Sequence, residues 1–318
     1  MNYDIFNGDA DGIIALLQLR LNNPKESHLV TGVKRDIKLM SRVTPQEGDS
    51  LTVLDISMEK NINALKHALS VGANVTYFDH HRSGEIPQEP NLEAHIDLDP
   101  NTCTSLLVDQ KLNQRFHVWA ITAAYGDNLI KHADELAGKA GFSKEQSSQL
   151  NEFGTLINYN GYGAEVYDLH YHPEELYKAL LEYCSPFDAI ADMNSPFYRL
   201  RDAYEQDMEK AMSIPPRHKS DTFTLYELPD ESWAKRISGV FGNLLANKKL
   251  DSAHGVLTLN KDKTYTLSLR APLGNKQGAG DICSQFPSGG GRAAAAGINA
   301  LPNSMITKFI EAVESYYQ

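Results

Sequence analysis

Cysteine is scarce in this chain of 318 residues: there are three, Cys103, Cys184 and Cys283, odd in number and far apart. None forms a Cys-x-x-Cys pair, which argues against a disulfide framework and against a thiolate zinc site. A reducing compartment is the simplest expectation. Long apolar runs are also missing. The longest near the start, Ile13 to Leu17, has five residues, against the roughly 20 that a membrane span needs. No basic stretch leads into an apolar one at the N-terminus, so a cytoplasmic protein with no export signal and no membrane partner is expected. Basic charge is the minority: 30 Lys and Arg stand against 41 Asp and Glu, a net charge of −11. That balance speaks against a general polyanion binder. No Gly-x4-Gly-Lys-Ser/Thr segment occurs, which excludes a Walker-type nucleotide site, and no internal repeat is visible.

What is present is an ordinary globular composition, 42% apolar and 22% charged, long enough for about two domains. Over the first hundred residues, short runs rich in aliphatic and aromatic side chains read as strands: Tyr3–Phe6, Leu29–Val33, Leu51–Leu54, Asn74–Phe78 and Ala94–Leu98. Between them, Ile13–Leu21 and Met58–Val71 carry apolar residues at helical spacing. Strand alternating with helix predicts a parallel sheet flanked by helices. From Thr104 to about Gln206 the pattern is helical. Lys144–Ile157 is opened by Ser143 as a cap, and Pro173–Tyr183 by a first-turn proline.

The pair Pro215-Pro216 cannot continue a helix, and strand-like runs follow at Thr222–Tyr226, Gly255–Leu259 and Tyr265–Arg270, with a last helix near Met305–Tyr316. The expected organisation is a domain over 1–190, a helical connector over 191–216 and a smaller α/β domain over 217–318. The charge divides at the same place. From 217 onward there are twelve basic and nine acidic residues, against eighteen and thirty-two before.

Acidic residues gather just after the expected strands. Asp9 and Asp11 lie in Asn7-Gly-Asp-Ala-Asp-Gly12, Asp55 ends Leu51-Thr-Val-Leu-Asp55, and Asp79 ends Val75-Thr-Tyr-Phe-Asp79 before His80 and His81. A single Asp after a strand is usually a helix cap. Three such strand ends, one carrying Asp-His-His, point instead to a site, because the carboxyl ends of neighbouring parallel strands converge on one edge. Carboxylates so close repel one another. Divalent ions relieve that repulsion, and oxygen plus imidazole donors suit Mn²⁺ or Mg²⁺ better than a thiolate-seeking metal.

These segments, together with Gly126-Asp127, resemble the four motifs of the DHH phosphoesterases. The first is nearer to the RecJ exonuclease branch than to the oligoribonuclease branch. Tyr265-Thr-Leu-Ser-Leu-Arg270 and Ser288-Gly-Gly-Gly-Arg-Ala-Ala-Ala-Ala-Gly297 resemble the companion DHHA1 domain. The resemblance implies a hydrolase with two Mn²⁺ ions, Mg²⁺ being the alternative. Asp9 and Asp55 would hold one ion, with Asn7 as a neutral oxygen donor. Asp11, Asp55, His80 and Asp127 would hold the other. A metal pair activates water and clamps the attacking and leaving oxygens. His81 would contact phosphate or position water, and Asp79 would orient a histidine.

Two departures stand out. Where many relatives carry histidine three residues before the first aspartate, this chain has Phe6, and where the glycine-rich motif ends in histidine it has Arg292. Arginine keeps a bidentate anion grip without acid–base chemistry. Gly289, Gly290, Gly291 and Arg292, leading into Ala293–Ala296 read as a helix start, are expected to cradle a phosphate with Arg270. The expected activity is hydrolysis of terminal phosphodiesters in short single-stranded oligonucleotides or small nucleotides. The acidic first part disfavours a long duplex footprint, and a homodimer is allowed for. The alternatives are a pyrophosphate or polyphosphate hydrolase, or a nucleotide-binding protein with weakened chemistry. Asp168, His170 and His172 read as a solvated loop, Asn158-Tyr-Asn-Gly-Tyr-Gly163 as a turn, and Cys103 as a buried residue at a helix start.

Overall fold

The chain begins with strand β1 (Asn2–Phe6), then helix α1 (Ala10–Asn22), strand β2 (His28–Val30), strand β3 (Ser50–Leu54), helix α2 (Met58–Ser70), strand β4 (Asn74–Asp79) and strand β5 (Leu92–Ile96). The computed structural model describes every residue from Met1 to Gln318. The five strands form one parallel sheet in the order β2-β1-β3-β4-β5. This is the parallel sheet that the strand–helix alternation predicts.

The register decides what happens at the sheet edge. Phe6 lies opposite Leu54, and Leu54 opposite Phe78. The residues that follow, Asn7, Asp55 and Asp79, therefore leave three adjacent strands at one level. Alternation along the strands sends Ile5, Leu51, Val53, Val75 and Tyr77 to one face, where they pack with Leu65, Ala68 and Leu69 of α2. On α1 the run from Ala10 to Gln18 is wholly buried, as expected of a helix in the middle of a layered domain. Asp9 caps α1 by accepting from the backbone N–H groups of Asp11 and Gly12, both at 3.1 Å.

Helices then follow without a strand: α3 (Thr104–Lys111), α4 (His117–Gly126), α5 (Ile130–Lys139), α6 (Lys144–Gly161), α7 (Pro173–Leu180), α8 (Pro186–Ala191) and α9 (Pro196–Ser213). Ser143 and Gln146 close a capping box on α6. The segment 158–163, read from sequence as a turn, is for the most part the last turn of α6. Asn158, Tyr159 and Asn160 are buried there, so the apolar surroundings carry the helix past its Asn and Gly residues. Asp168 and His172 serve local structure. Asp168 accepts from the N–H groups of Ala164 and Glu165, and His172 caps α7. Asp168 is buried rather than solvated.

The chain divides into two compact units, Met1–Asp202 and Ala203–Gln318, the division falling inside α9. The second unit adds β6 (His218–Lys219), β7 (Phe223–Leu228), α10 (Ser232–Lys248), β8 (Ala253–Leu259), β9 (Tyr265–Arg270), α11 (Ala279–Cys283), β10 (Gly289–Gly291), β11 (Ala295–Leu301) and α12 (Ile306–Tyr317). Its sheet runs β10-β11-β9-β8-β7-β6, with β7 and β8 parallel and the other pairs antiparallel. Phe223, Leu225, Leu257, Leu267, Ile298, Phe309 and Val313 share its core.

One sequence-based expectation fails here. Ala293–Ala296 does not start a helix. Ala295 and Ala296 open β11, which pairs with Arg270 and Leu269 of β9, and Gly289–Gly291 pair with β11 on its other side. Alanine's helix preference is worth only about 0.5 kcal/mol per residue. Two sheet neighbours and the buried side chains of Ala296 and Ile298 outweigh it. The helix N-terminus expected to bind phosphate is therefore absent.

Candidate metal centre

His80 organises the carboxyl edge of the first sheet. It follows β4 directly and its side chain is 2% exposed. Its Nδ1 lies 2.9 Å from the carbonyl oxygen of Thr102. A carbonyl only accepts, so Nδ1 carries a proton there, which leaves Nε2 as the ring nitrogen available to bind an ion. Around Nε2 stand Asp55 Oδ1 at 3.5 Å, Asp11 Oδ2 at 3.8 Å and Asp127 Oδ2 at 4.0 Å. These distances are too long for hydrogen bonds. They do match donors sharing one ion: with ligands about 2.1 Å from a metal, neighbours sit about 3 Å apart and opposites about 4.2 Å apart. One nitrogen and three carboxylates are a donor set for a hard divalent cation.

Two of the carboxylates are held by the start of α3. Asp11 accepts from the backbone N–H groups of Thr104 and Ser105, both at 2.7 Å, and so sits on the N-terminus of α3. Thr104 Oγ1 donates to Asp55 Oδ1 at 3.1 Å. Asp55 leaves β3 with φ of +58°, an unfavourable backbone for a residue with a side chain. Burial first, and then the charges of Asp9, Asp11 and Asp79, push its carboxyl well above the usual range, against the pull of His81. Asp127 closes the end of α4. Gly126 before it is a contact point rather than a turn. A Cβ there would lie 2.5 Å from Ala10 and 2.7 Å from the Gly154 carbonyl, so only glycine lets α4 pass so close to α1 and α6.

His81 is placed differently. Its Nδ1 lies 2.8 Å from Asp79 Oδ1 and 3.7 Å from Asp55 Oδ1, and a third of its side chain is exposed. Burial lowers its pKa, but the Asp79 hydrogen bond and the charges of Asp55 and Asp79 prevail and hold it above the ordinary histidine value. Asp55, His80 and His81 can each bring a ligand atom within 4.8 Å of the others. With Nδ1 committed to Asp79, His81 has only Nε2 to offer.

Asp9 and Asn7 face another neighbour. Lys34 forms an ion pair with Asp9 and lies 3.9 Å from Asp127 Oδ1. Burial alone would raise the Asp9 carboxyl, and the Asp127 charge adds to that, yet the Lys34 charge outweighs them and holds it below its ordinary value. Asn7 gives its Nδ2 to the Lys34 carbonyl at 3.2 Å, while its buried Oδ1 has no hydrogen-bond partner. Phe6 is fully buried, its ring 5.8 Å from that of Tyr177.

The sequence-predicted residues of the first unit, Asn7, Asp9, Asp11, Asp55, Asp79, His80, His81 and Asp127, thus gather at one edge. Sequence reading missed Lys34, Asn158, Thr104 and Ser105. Cys103, next to Thr104, is buried as expected, its thiol pushed up by burial and by Asp11 and Asp127. In the second unit, Arg270 sits opposite Ala295 of β11. Its guanidinium donates to Asn243 at 2.6 Å and Ser268 at 2.7 Å. Arg292 is exposed in the turn joining β10 to β11, its N–H bonded to the Ala295 carbonyl at 2.9 Å. Gly289, Gly290 and Gly291 form β10 beside it.

No protein-family model matches the chain, and no curated protein sequence matches it. Solved structures do. A pGpG-specific phosphodiesterase, PggH, from Vibrio cholerae superposes with a TM-score of 0.55 at 15% identity, covering 100% of this chain and 99% of that one. An exopolyphosphatase-related protein from Bacteroides fragilis gives 0.53 at 14% identity, over 99% and 92%. Exonuclease RecJ bound to manganese gives 0.58 at 16% identity, over 99% and 89%. These likenesses establish the fold: a RecJ-like pair of α/β units, as the motifs predict. No helix is long and apolar enough to cross a membrane.

Proposed function

We propose that the chain is a divalent-metal-dependent phosphoesterase of the DHH type that hydrolyses phosphodiesters in small nucleotides or short single-stranded oligonucleotides. The observation that carries this reading is the Nε2 of His80 facing three buried carboxylates at 3.5–4.0 Å. Asp11, Asp55, His80 and Asp127 would hold the ion. When bound, such an ion supplies Lewis-acid activation of the phosphoryl group and of the attacking water. His80 keeps one tautomer through Thr102, and Asp11 keeps its angle through the α3 backbone. Asp79 holds His81 by Nδ1, so Nε2 is the nitrogen left to hydrogen-bond a phosphate oxygen or to pass a proton to the leaving oxygen. In the second unit the exposed Arg292, beside the β10 backbone and one strand from Arg270, is a permanent cation suited to gripping a phosphate.

The fold neighbours support the substrate class: one is named for a dinucleotide, another is an exonuclease. The test is turnover of pGpG-type dinucleotides, labelled short oligonucleotides and polyphosphate by the purified protein with Mn²⁺ and with Mg²⁺. Cleavage of the nucleotide substrates is expected. Release of phosphate from polyphosphate alone would replace the reading, and no turnover with either ion would end it. Exposed Arg292→Ala should leave the fold intact and raise KM several-fold more than it lowers kcat, since an anion contact made in both ground and transition states is lost.

A further inference from the structure

We propose that the ammonium of Lys34 stands where a second metal ion would sit, so that this site takes one divalent ion and supplies its other cation from the chain. The inference rests on the reading of the site as a metal-dependent phosphoesterase.

Lys34 is tied in on every side. Its Nζ is ion-paired with Asp9, donates to Asn158 Oδ1 at 3.1 Å, approaches Asp127 Oδ1 at 3.9 Å and lies 5.4 Å from the ring centre of Tyr162. Both Asp9 oxygens are thereby used, Oδ1 by the α1 backbone and Oδ2 by Lys34. The backbone of Lys34 is pinned as well. Its N–H donates to the Gly161 carbonyl at 2.9 Å and its carbonyl accepts from Asn7. The loop that carries it packs against the first motif without room for a side chain: a Cβ on Gly8 would lie 1.8 Å from the Gly32 carbonyl oxygen. This is a built contact between a loop after β2 and the cap of α1, not a surface lysine that has fallen onto an acid.

The alternative donors for a second ion do not fit. Phe6 offers no ligand atom and is packed against Tyr177, and Asn7 brings a single neutral oxygen. A divalent ion on Asp9 would have to displace an ammonium held by one carboxylate and one amide oxygen, or lie against it as a like charge. The surroundings favour the ammonium: the Asp9 and Asp127 carboxylates and the Asn158 amide oxygen all turn toward it. Lysine has three N–H donors. Asp9 and Asn158 take two, and the side chain is about a quarter exposed, so the third is left for a phosphate oxygen. One fixed cation and one bound ion thus flank Asp127, which faces both.

The experiment counts ions. Metal-free wild-type protein is dialysed against Mn²⁺, the bound metal is measured per chain, and the electron paramagnetic resonance spectrum is recorded. One ion per chain with an uncoupled six-line signal is expected. Lys34→Met should release Asp9 and admit a second, weaker ion, with the broadened signal of a coupled pair, while Lys34→Arg should keep the count at one. Two coupled ions in the wild type would overturn the inference, as would a folded Lys34→Met protein that still binds one. A folded wild-type chain that binds no ion would bring down both this inference and the phosphoesterase reading. One bound ion without turnover of any phosphodiester would remove the substrate reading and leave the ion count standing.

Discussion

The two halves of the carboxylate cluster, a few ångströms apart, have solved the same problem in opposite ways. Around Asp9 the negative charge is answered within the chain: Lys34 is in contact, and the Asp9 carboxyl is held below its ordinary value. Around Asp55 the chain supplies only the Thr104 hydroxyl and the weaker pull of His81, and burial with the neighbouring carboxylates outweighs them. His80 Nε2 is 3.5 Å away, beyond hydrogen-bond reach, and the Asp55 carboxyl is driven well upward. The difference teaches where a foreign cation is wanted. Buried charge is costly unless paired, so the half with a resident lysine carries its own counter-charge, and the half with His80 and three carboxylates is where the proposed ion would be stabilised most.

The sharpest way to break this comparison is Asp55→Ala. It removes the carboxylate nearest His80, and turnover should fall by about 10³-fold or more while circular dichroism shows an intact fold. Turnover within tenfold of wild type would show that Asp55 does not serve the ion. Asp79→Asn should be milder, about 10–100-fold in kcat, the usual range for a group that orients a histidine near a metal. Its signature is in the pH–rate profile: with the carboxylate gone, the His81 limb should move to lower pH, and an unmoved limb would detach His81 from that profile.

The halves should also part company with pH. In chelator-treated protein, the raised Asp55 carboxyl binds its proton more tightly folded than unfolded. Its contribution to stability is therefore full below the ordinary aspartate range and is lost as pH climbs through the raised value. Melting temperature should fall on that climb, Asp55→Asn should flatten the slope, and saturating Mn²⁺ should stabilise most at the higher pH. A wild-type profile already flat without metal would contradict the assignment. The smallest effect is expected at Asn158→Ala, which removes one acceptor from Lys34. About 1 kcal/mol of stability should go, read by denaturant titration, with Mn²⁺ affinity at the His80 half unchanged. A large loss of Mn²⁺ affinity would mean that the halves are not separable.

Much of this molecule was legible in the sequence, and the reasons are local. The alternation of short aliphatic runs with helical stripes predicted a parallel sheet, because strand and helix periods are written in neighbouring residues. Asp9, Asp55 and Asp79 could be placed together without coordinates, because strands in register must end at one edge. The misreading at Ala293–Ala296 has the opposite cause. Four alanines say helix locally, and only Leu269 and Leu267 of β9, more than twenty residues away, say strand. The last turn of α6 went the same way, its Asn and Gly residues held helical by burial.

Sequence alone therefore determined the donor types, their order along the chain and the sheet edge that would collect them. Whether a given aspartate would face a histidine, a lysine or a helix N-terminus was decided only in three dimensions. Asp11 meets Thr104 and Ser105 across more than ninety residues, and Lys34 meets Asn158 across more than a hundred. No periodicity records such meetings. They follow from the packing of α3, α6 and the β2 loop onto the first motif, where close contact between backbones leaves each charged group one place to go.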